Sequence, residues 1–268
     1  MAWRCLLYLL LGLHLSVAAQ PDLDGGRRGL YLRLCVDEAP SAPWRVPDAD
    51  GRVRGRGLEF EFLRLLAEQS GWEFRVLLRP WRRCLQDVRT GQVDAVLGIS
   101  HTADRAEFVQ FPHSNGQVDP QLAVRVDQYA FVAPSASKLR WDGAQLELPP
   151  GAKVGVPAGY SGAQLLRRFG AAADESSRTA EGTLERLMQG QIQAALLPRA
   201  EAQRLLAERT QWAQRLSLLE PALPARAYYL GASLEFARRH PGRLRDLWRD
   251  VALVRDSAEY RRVLAQTP

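Results

Sequence analysis

The chain has 268 residues, of which 46% are hydrophobic and 25% are charged, so it is long enough to bury one large core or two modest ones. The formal net charge is +6, but basic and acidic residues alternate along the chain. No nucleic-acid-binding motif accompanies the densest basic cluster, Arg79, Arg82 and Arg83. This composition argues against a disordered chain and against a nucleic-acid partner.

The first residues predict export from the cytoplasm. Arg4 precedes an apolar run over residues 6–17, and small residues follow at Ala18 and Ala19. This order is typical of a secretory signal peptide, so residues 1–19 are predicted to be cleaved and the protein to be periplasmic. An uncleaved anchor is the alternative, although the run is shorter than the ~20 residues that a membrane span needs.

The first half of the mature chain alternates strands and helices. Alternating apolar positions predict a strand over residues 30–36, and a continuous apolar run predicts a buried strand over residues 93–99. Leu58, Phe62, Leu65 and Leu66 lie on one helical face, with Gly71 as a C-terminal cap. A further strand and helix are predicted at residues 74–78 and 82–89. This order implies a parallel sheet covered by helices.

The second half repeats this order. Strands are predicted at residues 153–157 and 192–197, helices at 161–169, around 184–188 and at 199–209, and broken helices at 234–265. The segment at 91–95, Gly-Gln-Val-Asp-Ala, has an echo at 190–194, Gly-Gln-Ile-Gln-Ala, each between a helix and a strand. The echo indicates two related α/β lobes, or a common loop that recurs by chance. In such sheets ligands bind beyond the carboxyl ends of the strands, so a hinged cleft is expected.

Residues 32–112 resemble the family 3 extracellular solute-binding proteins, the periplasmic receptors of polar amino-acid ABC transporters. The matching pieces are residues 32–37, Pro43-Trp44, Gly57 with its helix to Gly71, Trp81, residues 91–95, residues 100–105, Phe108 and Phe111; residues 154–156 and Gly159 fit the second lobe. The resemblance implies an α/β, two-lobed, type II periplasmic-binding-protein-like fold, with a cleft between lobes joined by two crossover strands. By analogy, lobe 1 is residues 28–116 and 225–268, and lobe 2 is residues 117–224.

The resemblance also implies site residues in the first lobe. Arg105, fixed by a Thr102 helix cap, would hold a ligand carboxylate by two parallel bonds. Gly98 and Ser100, on the strand before it, would bind the ligand's carboxylate and amine. A surface salt bridge for Arg105 and a plain turn role for Ser100 are the structural alternatives.

Four further positions complete the predicted cleft. Trp81 would stack on the ligand or pack in the core, and Trp44 could close the mouth. Asp37 would pair with a cationic group or cap a turn. Tyr160 and Ser161 begin a helix whose free amides could bind an anion.

One position departs from the family. An Asp after the second lobe's strand binds the α-ammonium in the family, whereas Pro198 stands there in this chain. A buried ammonium without a carboxylate is costly, so an ordinary α-amino acid ligand is in doubt. Asp119 or Glu220 could take its place; otherwise a carboxylate without an amine, or an unrelated ligand, is expected. Arg199 would favour an acidic ligand if it faces the cleft.

Signal cleavage leaves two cysteines, Cys35 near the end of strand one and Cys84 in the helix after strand two. These strands are neighbours in this architecture, so a disulfide is predicted, with two buried free thiols as the alternative.

The sequence therefore predicts a monomeric periplasmic protein that captures a small polar, carboxylate-bearing ligand, such as an amino acid, for an ABC transporter. The alternatives are a periplasmic sensor that signals to a membrane receptor, a degenerate pair of lobes, and a cyclohexadienyl-dehydratase-like enzyme. No catalytic triad can be assigned, and His101, His113 and His240 lack metal-ligand spacing. We accordingly expect a protein that is not an enzyme and that holds no cofactor or metal.

Overall fold

The computed structural model describes residues 30–267, so the predicted signal peptide at 1–19 lies outside the described residues. The strands, in chain order, are β1 Leu30–Asp37, β2 Trp72–Arg79, β3 Ala95–Ser100, β4 Val109–Gln110, β5 His113–Ser114, β6 Gln117–Val118, β7 Arg125–Asp127, β8 Tyr129–Pro134, β9 Arg140–Trp141, β10 Leu146–Glu147, β11 Lys153–Pro157, β12 Ala172–Ser177, β13 Ala194–Pro198, β14 Leu216–Leu218 and β15 Arg226–Ser233. The helices are α1 Leu58–Ser70, α2 Trp81–Arg89, α3 Ala103–Ala106, α4 Gly162–Arg168, α5 Ala180–Met188, α6 Arg199–Glu208, α7 Thr210–Ala213, α8 Leu234–Arg239, α9 Pro241–Arg255 and α10 Ala258–Gln266, with a 3₁₀ turn at Pro120–Leu122.

The first lobe is built on a sheet with the strand order β2-β1-β3-β15-β4, and β7 also pairs with β15. Strands β1, β2 and β3 run parallel, whereas β15 runs antiparallel to β3. The alternating Leu32, Leu34 and Val36 of β1 are buried in one core with α1 and the C-terminal helices. A second core on the sheet's other side contains Cys35 and the apolar residues of α2. This lobe is therefore a helix–sheet–helix sandwich.

The second lobe repeats this order as β12-β11-β13-β8-β14. Strands β11, β12 and β13 are parallel, and β8 runs antiparallel to β13. Helix α4 contributes to one core, and α5 and α6 contribute to the other. The structure therefore has the predicted mixed α/β architecture, with an antiparallel strand in each sheet that the prediction of parallel sheets did not include.

The strands and helices predicted from apolar periodicity are confirmed, with shifts of a few residues at their ends. Helix α1 ends at Gly71, whose φ of +72° places it in the left-handed region that favours glycine. The tail helices break at Pro241 and near Asp256, as predicted. Strands β8 and β15 were not predicted, although each contains a buried apolar run like the one that predicts the strand at residues 93–99.

The chain passes between the two sheets within a few residues. Strand β7 pairs with β15 in the first sheet, although its residues 125–127 lie in the range predicted for lobe 2, and β8 in the second sheet begins at Tyr129. The return connection joins β14 of the second sheet to β15 of the first. The residue boundaries of the two lobes stay a prediction.

Cys35 and Cys84 form a disulfide, with their Cα atoms 5.5 Å apart. Both residues are fully buried, and the bridge ties β1 to the first turn of α2 beneath Trp81. Among residues 30–267, no helix is long and apolar enough to span a bilayer.

Candidate ligand-binding site

A cavity of about 40 Å³ lies between the two lobes, at the carboxyl ends of the parallel strands. Asp37 ends β1, Trp81 follows β2, Ser100 ends β3, and Pro198 ends β13. Because these strand ends converge on the same cleft, residues far apart in the chain meet there. The lining residues are Asp37, Ser41, Trp44, Arg45, Trp81, Leu97, Gly98, Ser100, Arg105, Arg125, Asp127, Tyr129, Tyr160, Ser161, Pro198, Glu201 and Tyr228.

Arg105 is buried in this cavity, with only 7% of its surface exposed. The Thr102 hydroxyl accepts a bond from the Arg105 backbone N–H at 3.3 Å, which fixes the short helix α3 as predicted. The Arg105 Nη1 donates to the carbonyl of Ser100 at 3.0 Å and to its Oγ at 2.9 Å, and Nη2 donates to the carbonyl of Gly159 at 2.9 Å. The guanidinium is therefore oriented by neutral acceptors.

No carboxylate of the described residues forms a salt bridge with Arg105, whereas the other two arginines that line the cavity, Arg45 and Arg125, each have one. Burial lowers the pKa of Arg105 to about 10, so the group is still charged at neutral pH. A buried cation without an anion is costly unless a partner approaches it. Arg105 is consequently a buried cation without an ion-pair partner among the described residues.

The turn at Gly159 brings the second lobe onto this arginine. Its carbonyl accepts bonds from both Arg105 and the Trp81 indole Nε1, the latter at 3.1 Å. Gly159 has a φ of +79°, and a Cβ there would lie 2.9 Å from the Cγ of Arg82. Ser100 Oγ donates to Ser161 Oγ at 2.9 Å, which also joins the lobes. These contacts form the arginine end of the cavity.

A buried network of charges runs from the cleft to the crossover strand. Arg45 Nη1 donates to both carboxylate oxygens of Glu59, at 2.9 and 3.0 Å, and Arg125 donates to Glu59 Oε1 at 2.6 Å. Arg45 Nη2 lies 3.5 Å from Asp37, which also accepts a 2.9 Å bond from the Tyr160 hydroxyl. Burial alone would raise the pKa of Glu59, but the two arginines outweigh it and lower that pKa.

Glu201 lies on the second lobe, in the first turn of α6, and only 5% of its surface is exposed. Its Oε2 accepts a 2.8 Å bond from the Ser41 hydroxyl of the first lobe. It forms no salt bridge with any described residue, and burial raises its pKa to about 7. This carboxyl is therefore poised near ionisation in the closed cleft.

Asp127 is a second carboxyl without a salt bridge among the described residues of the cleft. It ends β7, and its Oδ1 accepts a 2.7 Å bond from the backbone N–H of Gln128. Burial raises its pKa. Asp37, Glu201 and Asp127 thus share raised pKa values, with burial as the largest cause in each case.

The structure brings all eight residues that the sequence predicted for the site to this one cavity: Asp37, Trp44, Trp81, Gly98, Ser100, Arg105, Tyr160 and Ser161. Their roles toward a ligand stay a prediction. Trp44 stacks against Arg125, with the guanidinium carbon 4.4 Å from its ring centroid. Asp119 caps the 3₁₀ turn, and Glu220 pairs with Arg199 at 2.7 Å, so none of these three lines the cavity.

Sequence reasoning missed the charged network and Glu201. One signal was available in the sequence for Glu59. Phe62 and Leu66 follow it by three and seven residues, so Glu59 lies on the buried stripe of α1. Glu201 resembles an ordinary acidic residue in the first turn of a helix, so its pattern does not reveal the cleft. Among residues 30–267, no group of three or more His, Cys, Asp and Glu side chains is arranged to hold a metal ion.

The family model of bacterial extracellular solute-binding proteins, family 3, matches residues 32–260. The chain belongs to this family. No curated protein matches the sequence. The match covers most of both lobes, and it confirms the resemblance that the first lobe's motifs indicate.

Solved structures share this fold at low sequence identity. A putative binding component of an ABC transporter from Wolinella succinogenes, complexed with lysine, aligns with a TM-score of 0.68 at 16% identity, over 90% of this chain and 96% of that one. An arginine-specific periplasmic binding protein from Salmonella typhimurium gives 0.67 at 14%, over 89% and 99%. A histidine kinase sensor domain gives 0.65 at 18%, over 90% and 96%. The fold is therefore that of two-lobed periplasmic binding proteins, which bind ligands.

Proposed function

We propose that this protein is a periplasmic receptor that captures a small polar ligand bearing a carboxylate and delivers it to an ABC transporter. The observation that carries the proposal is Arg105, a buried guanidinium in the interlobe cavity that is held by neutral acceptors. A ligand carboxylate there would supply the missing charge through charge-assisted hydrogen bonds. Neighbouring folds from a lysine-bound transporter component and an arginine-specific receptor support this class of ligand.

The contacts across the cleft support capture by closure. Arg105 and Trp81 of the first lobe share the Gly159 carbonyl, and Ser41 reaches Glu201. A cavity of about 40 Å³ is much smaller than the ~150 Å³ of an engineered cavity that binds benzene. The lobes must therefore separate to admit a ligand and close on it afterwards, which is the hinge motion of two-lobed receptors.

A thermal-shift panel tests this proposal directly. The mature protein is mixed with amino acids, dicarboxylates, monocarboxylates and polyamines, and the midpoint of thermal unfolding is recorded. A true ligand at a hundred times its dissociation constant adds about 2.7 kcal/mol to the free energy of unfolding. The ligand class is expected to contain a carboxylate, and the polyamines should have no effect.

Arg105→Ala is the decisive variant, because it should weaken binding of that ligand by about a hundredfold or more. The matched control is Arg249→Ala, which removes an exposed arginine on α9 that pairs with Asp246. The control should bind like the wild type. Equal affinity in Arg105→Ala would refute a carboxylate site at this position.

A periplasmic sensor is the second candidate, since a histidine kinase sensor domain shares the fold. Deletion of the gene separates the two roles. Loss of uptake of the radiolabelled ligand would support transport, whereas unchanged uptake with a lost transcriptional response would support signalling. The periplasmic location predicts a mature N-terminus after residue 19, which N-terminal sequencing of the exported protein tests, and light scattering tests the expected monomer.

A further inference from the structure

The two ends of the cavity carry opposite imbalances of charge. At the arginine end, the Arg105 guanidinium donates to the carbonyls of Ser100 and Gly159 and to the Ser100 hydroxyl. Asp104, the residue before it in α3, is exposed and pairs with Arg167. This end therefore offers one cation and a set of hydroxyl and carbonyl groups, and no carboxylate of the described residues forms a salt bridge with that cation.

The other end has a surplus of carboxylates. Asp37, Glu59 and Glu201 face two buried guanidiniums, those of Arg45 and Arg125. Glu59 receives both arginines and Asp37 receives one, whereas Glu201 accepts from the Ser41 hydroxyl and forms no salt bridge with any described residue. Arg204, a nearby cation, pairs with Glu208 instead. When Glu201 is ionised, this end consequently lacks one positive charge.

The position of Glu201 explains why the surplus lies at this end. Strand β13 ends at Pro198, which carries no polar side chain, and α6 begins at Arg199. Glu201 lies three residues after Pro198, so its carboxyl belongs to the first turn of α6 and not to the end of β13. There it accepts a bond from the Ser41 hydroxyl. Its charge also influences the Tyr160 hydroxyl, which donates to Asp37. The carboxylate is thus displaced from the arginine end.

We propose that Glu201 forms a cation subsite opposite Arg105, and that the ligand is a short ω-amino carboxylate, with its amine and carboxylate on different carbons. This inference rests on the proposed function, because it assumes that Arg105 holds the carboxylate. In an α-amino acid the ammonium is attached next to the carboxylate, so it would lie at the arginine end, where the half-buried Asp127 is the candidate carboxyl among the described lining residues. Two or more intervening carbons carry the ammonium to Glu201, where it neutralises the surplus charge.

Asp127 is the competing partner for a cation. It pairs with Arg226 in the β7–β15 ladder, and Tyr228, two residues further along β15, pairs with Ser100, which binds Arg105. Asp127 therefore lies nearer the arginine end and would suit an α-ammonium. Glu201 is the more deeply buried of the two and joins the lobes through Ser41. A cation on Glu201 would therefore be enclosed by closure, whereas Asp127 lies on the crossover strand β7.

Isomeric ligands separate the two arrangements. The probes are 4-aminobutyrate, L-2-aminobutyrate and butyrate, with β-alanine, L-alanine and propionate as the shorter set, and calorimetry at pH 8 gives their affinities. The ω-amino member of at least one set should bind about tenfold or more tightly than its α-isomer and its deaminated analogue. Tighter binding of the α-isomers, equal binding of the deaminated analogues, or no binding of any ω-amino probe would overturn the inference.

Two isosteric variants then assign the cation to its carboxylate. Glu201→Gln should weaken the ω-amino probe by about tenfold or more while leaving butyrate within about threefold. Asp127→Asn, which removes the other carboxyl, should leave the ω-amino probe within about threefold of wild type. The reverse pattern would move the subsite to Asp127 and overturn the assignment.

If Glu201→Gln does not fold, Glu201→Asp tests the same point with its charge kept. Its carboxyl withdraws by one methylene, so the preferred ligand should become longer by one carbon, and an unchanged preference would count against the subsite. Failure of the subsite is distinguishable from failure of the receptor, because Arg105→Ala is assayed with deaminated carboxylates that do not need Glu201.

Discussion

The two lobes share a strand order but differ in the charged side chains that they place at equivalent positions and beside the cleft. In the first lobe, Arg33 pairs with Asp94 just before β3, and the buried trio Arg45, Glu59 and Arg125 lies under the cleft. In the second lobe, the position that matches Asp94 is Gln193, which accepts from the Lys153 backbone N–H as Asp94 accepts from that of Arg33. The two lobes share this backbone junction. Among the described residues, an ion pair accompanies it in the first lobe, between Arg33 and Asp94, and not in the second.

This difference indicates that the two lobes make different contributions to the cavity. The first lobe holds fixed charges, Arg105 among them, on a frame braced by the Cys35–Cys84 disulfide. To the cavity lining, the second lobe contributes the Gly159 carbonyl, the Tyr160 and Ser161 hydroxyls, and the carboxyl of Glu201. A rigid, charged first lobe and a largely neutral second lobe are suited to a sequence in which the first lobe binds the ligand and the second lobe then closes on it. The first lobe would recognise the ligand's charge before the cleft closes.

The largest effect is expected from Glu59→Gln, which leaves Arg45 and Arg125 buried without their shared carboxylate. Removing one member of a buried ion pair costs about 3 to 5 kcal/mol in the free energy of unfolding. Urea denaturation measures this loss. The matched control, Glu61→Gln, removes an exposed carboxylate from the same helix and should change stability by less than about 0.5 kcal/mol. Similar losses in both variants would show that the network does not stabilise the first lobe.

The disulfide provides the next largest expected effect, and it is confined to the first lobe. The bridge spans 49 positions, which corresponds to about 4 kcal/mol in the chain-entropy estimate. The Cys35→Ala/Cys84→Ala double variant should lose about that much stability, and hydrogen exchange should rise in β1 and α2 before it rises in α5 and α6. Uniform exchange in both lobes would contradict the comparison.

Glu201 predicts a pH dependence that belongs to the second lobe. Its pKa is raised from 4.5 to about 7, so between these values the folded protein keeps a proton that the unfolded chain has lost. The free energy of unfolding therefore falls as the pH rises, by about 3 kcal/mol over this range. Glu201→Gln has no such titration.

Urea denaturation at several pH values between 4.5 and 8 checks this sign. The stability of wild type relative to Glu201→Gln should fall with rising pH and become constant above about pH 8. Asp37 and Asp127 titrate in both proteins, so their contributions largely cancel in the difference. A difference that stays flat, or that grows in favour of wild type, would show that Glu201 is ionised throughout.

The sequence predicts features that depend on local patterns, but not those that depend on long-range contacts. Periodic elements such as α1 and β1 could be predicted because their apolar stripes are local. The family resemblance, together with the strand-end rule, predicted that Arg105, Ser100 and Trp81 lie at one cleft, and all three line the cavity. The partners of Arg45 and Arg125 could not be predicted, because Glu59 meets them through long-range packing. Pro198 was recognised as a departure, but the carboxylate one turn later in α6 could be found only when the lobes were placed together.

The smallest effect compares two helix caps, one in each lobe. Thr102 caps α3 through the backbone N–H of Arg105, and Thr179 caps α5 through that of Gly182 at 3.0 Å. Each Thr→Ala change should cost about 1 kcal/mol in urea denaturation. Only Thr102→Ala should also weaken binding of a carboxylate ligand, because it loosens the helix that aims Arg105. Equal affinities in the two variants would mean that Ser100 and Gly159 alone hold the guanidinium in place.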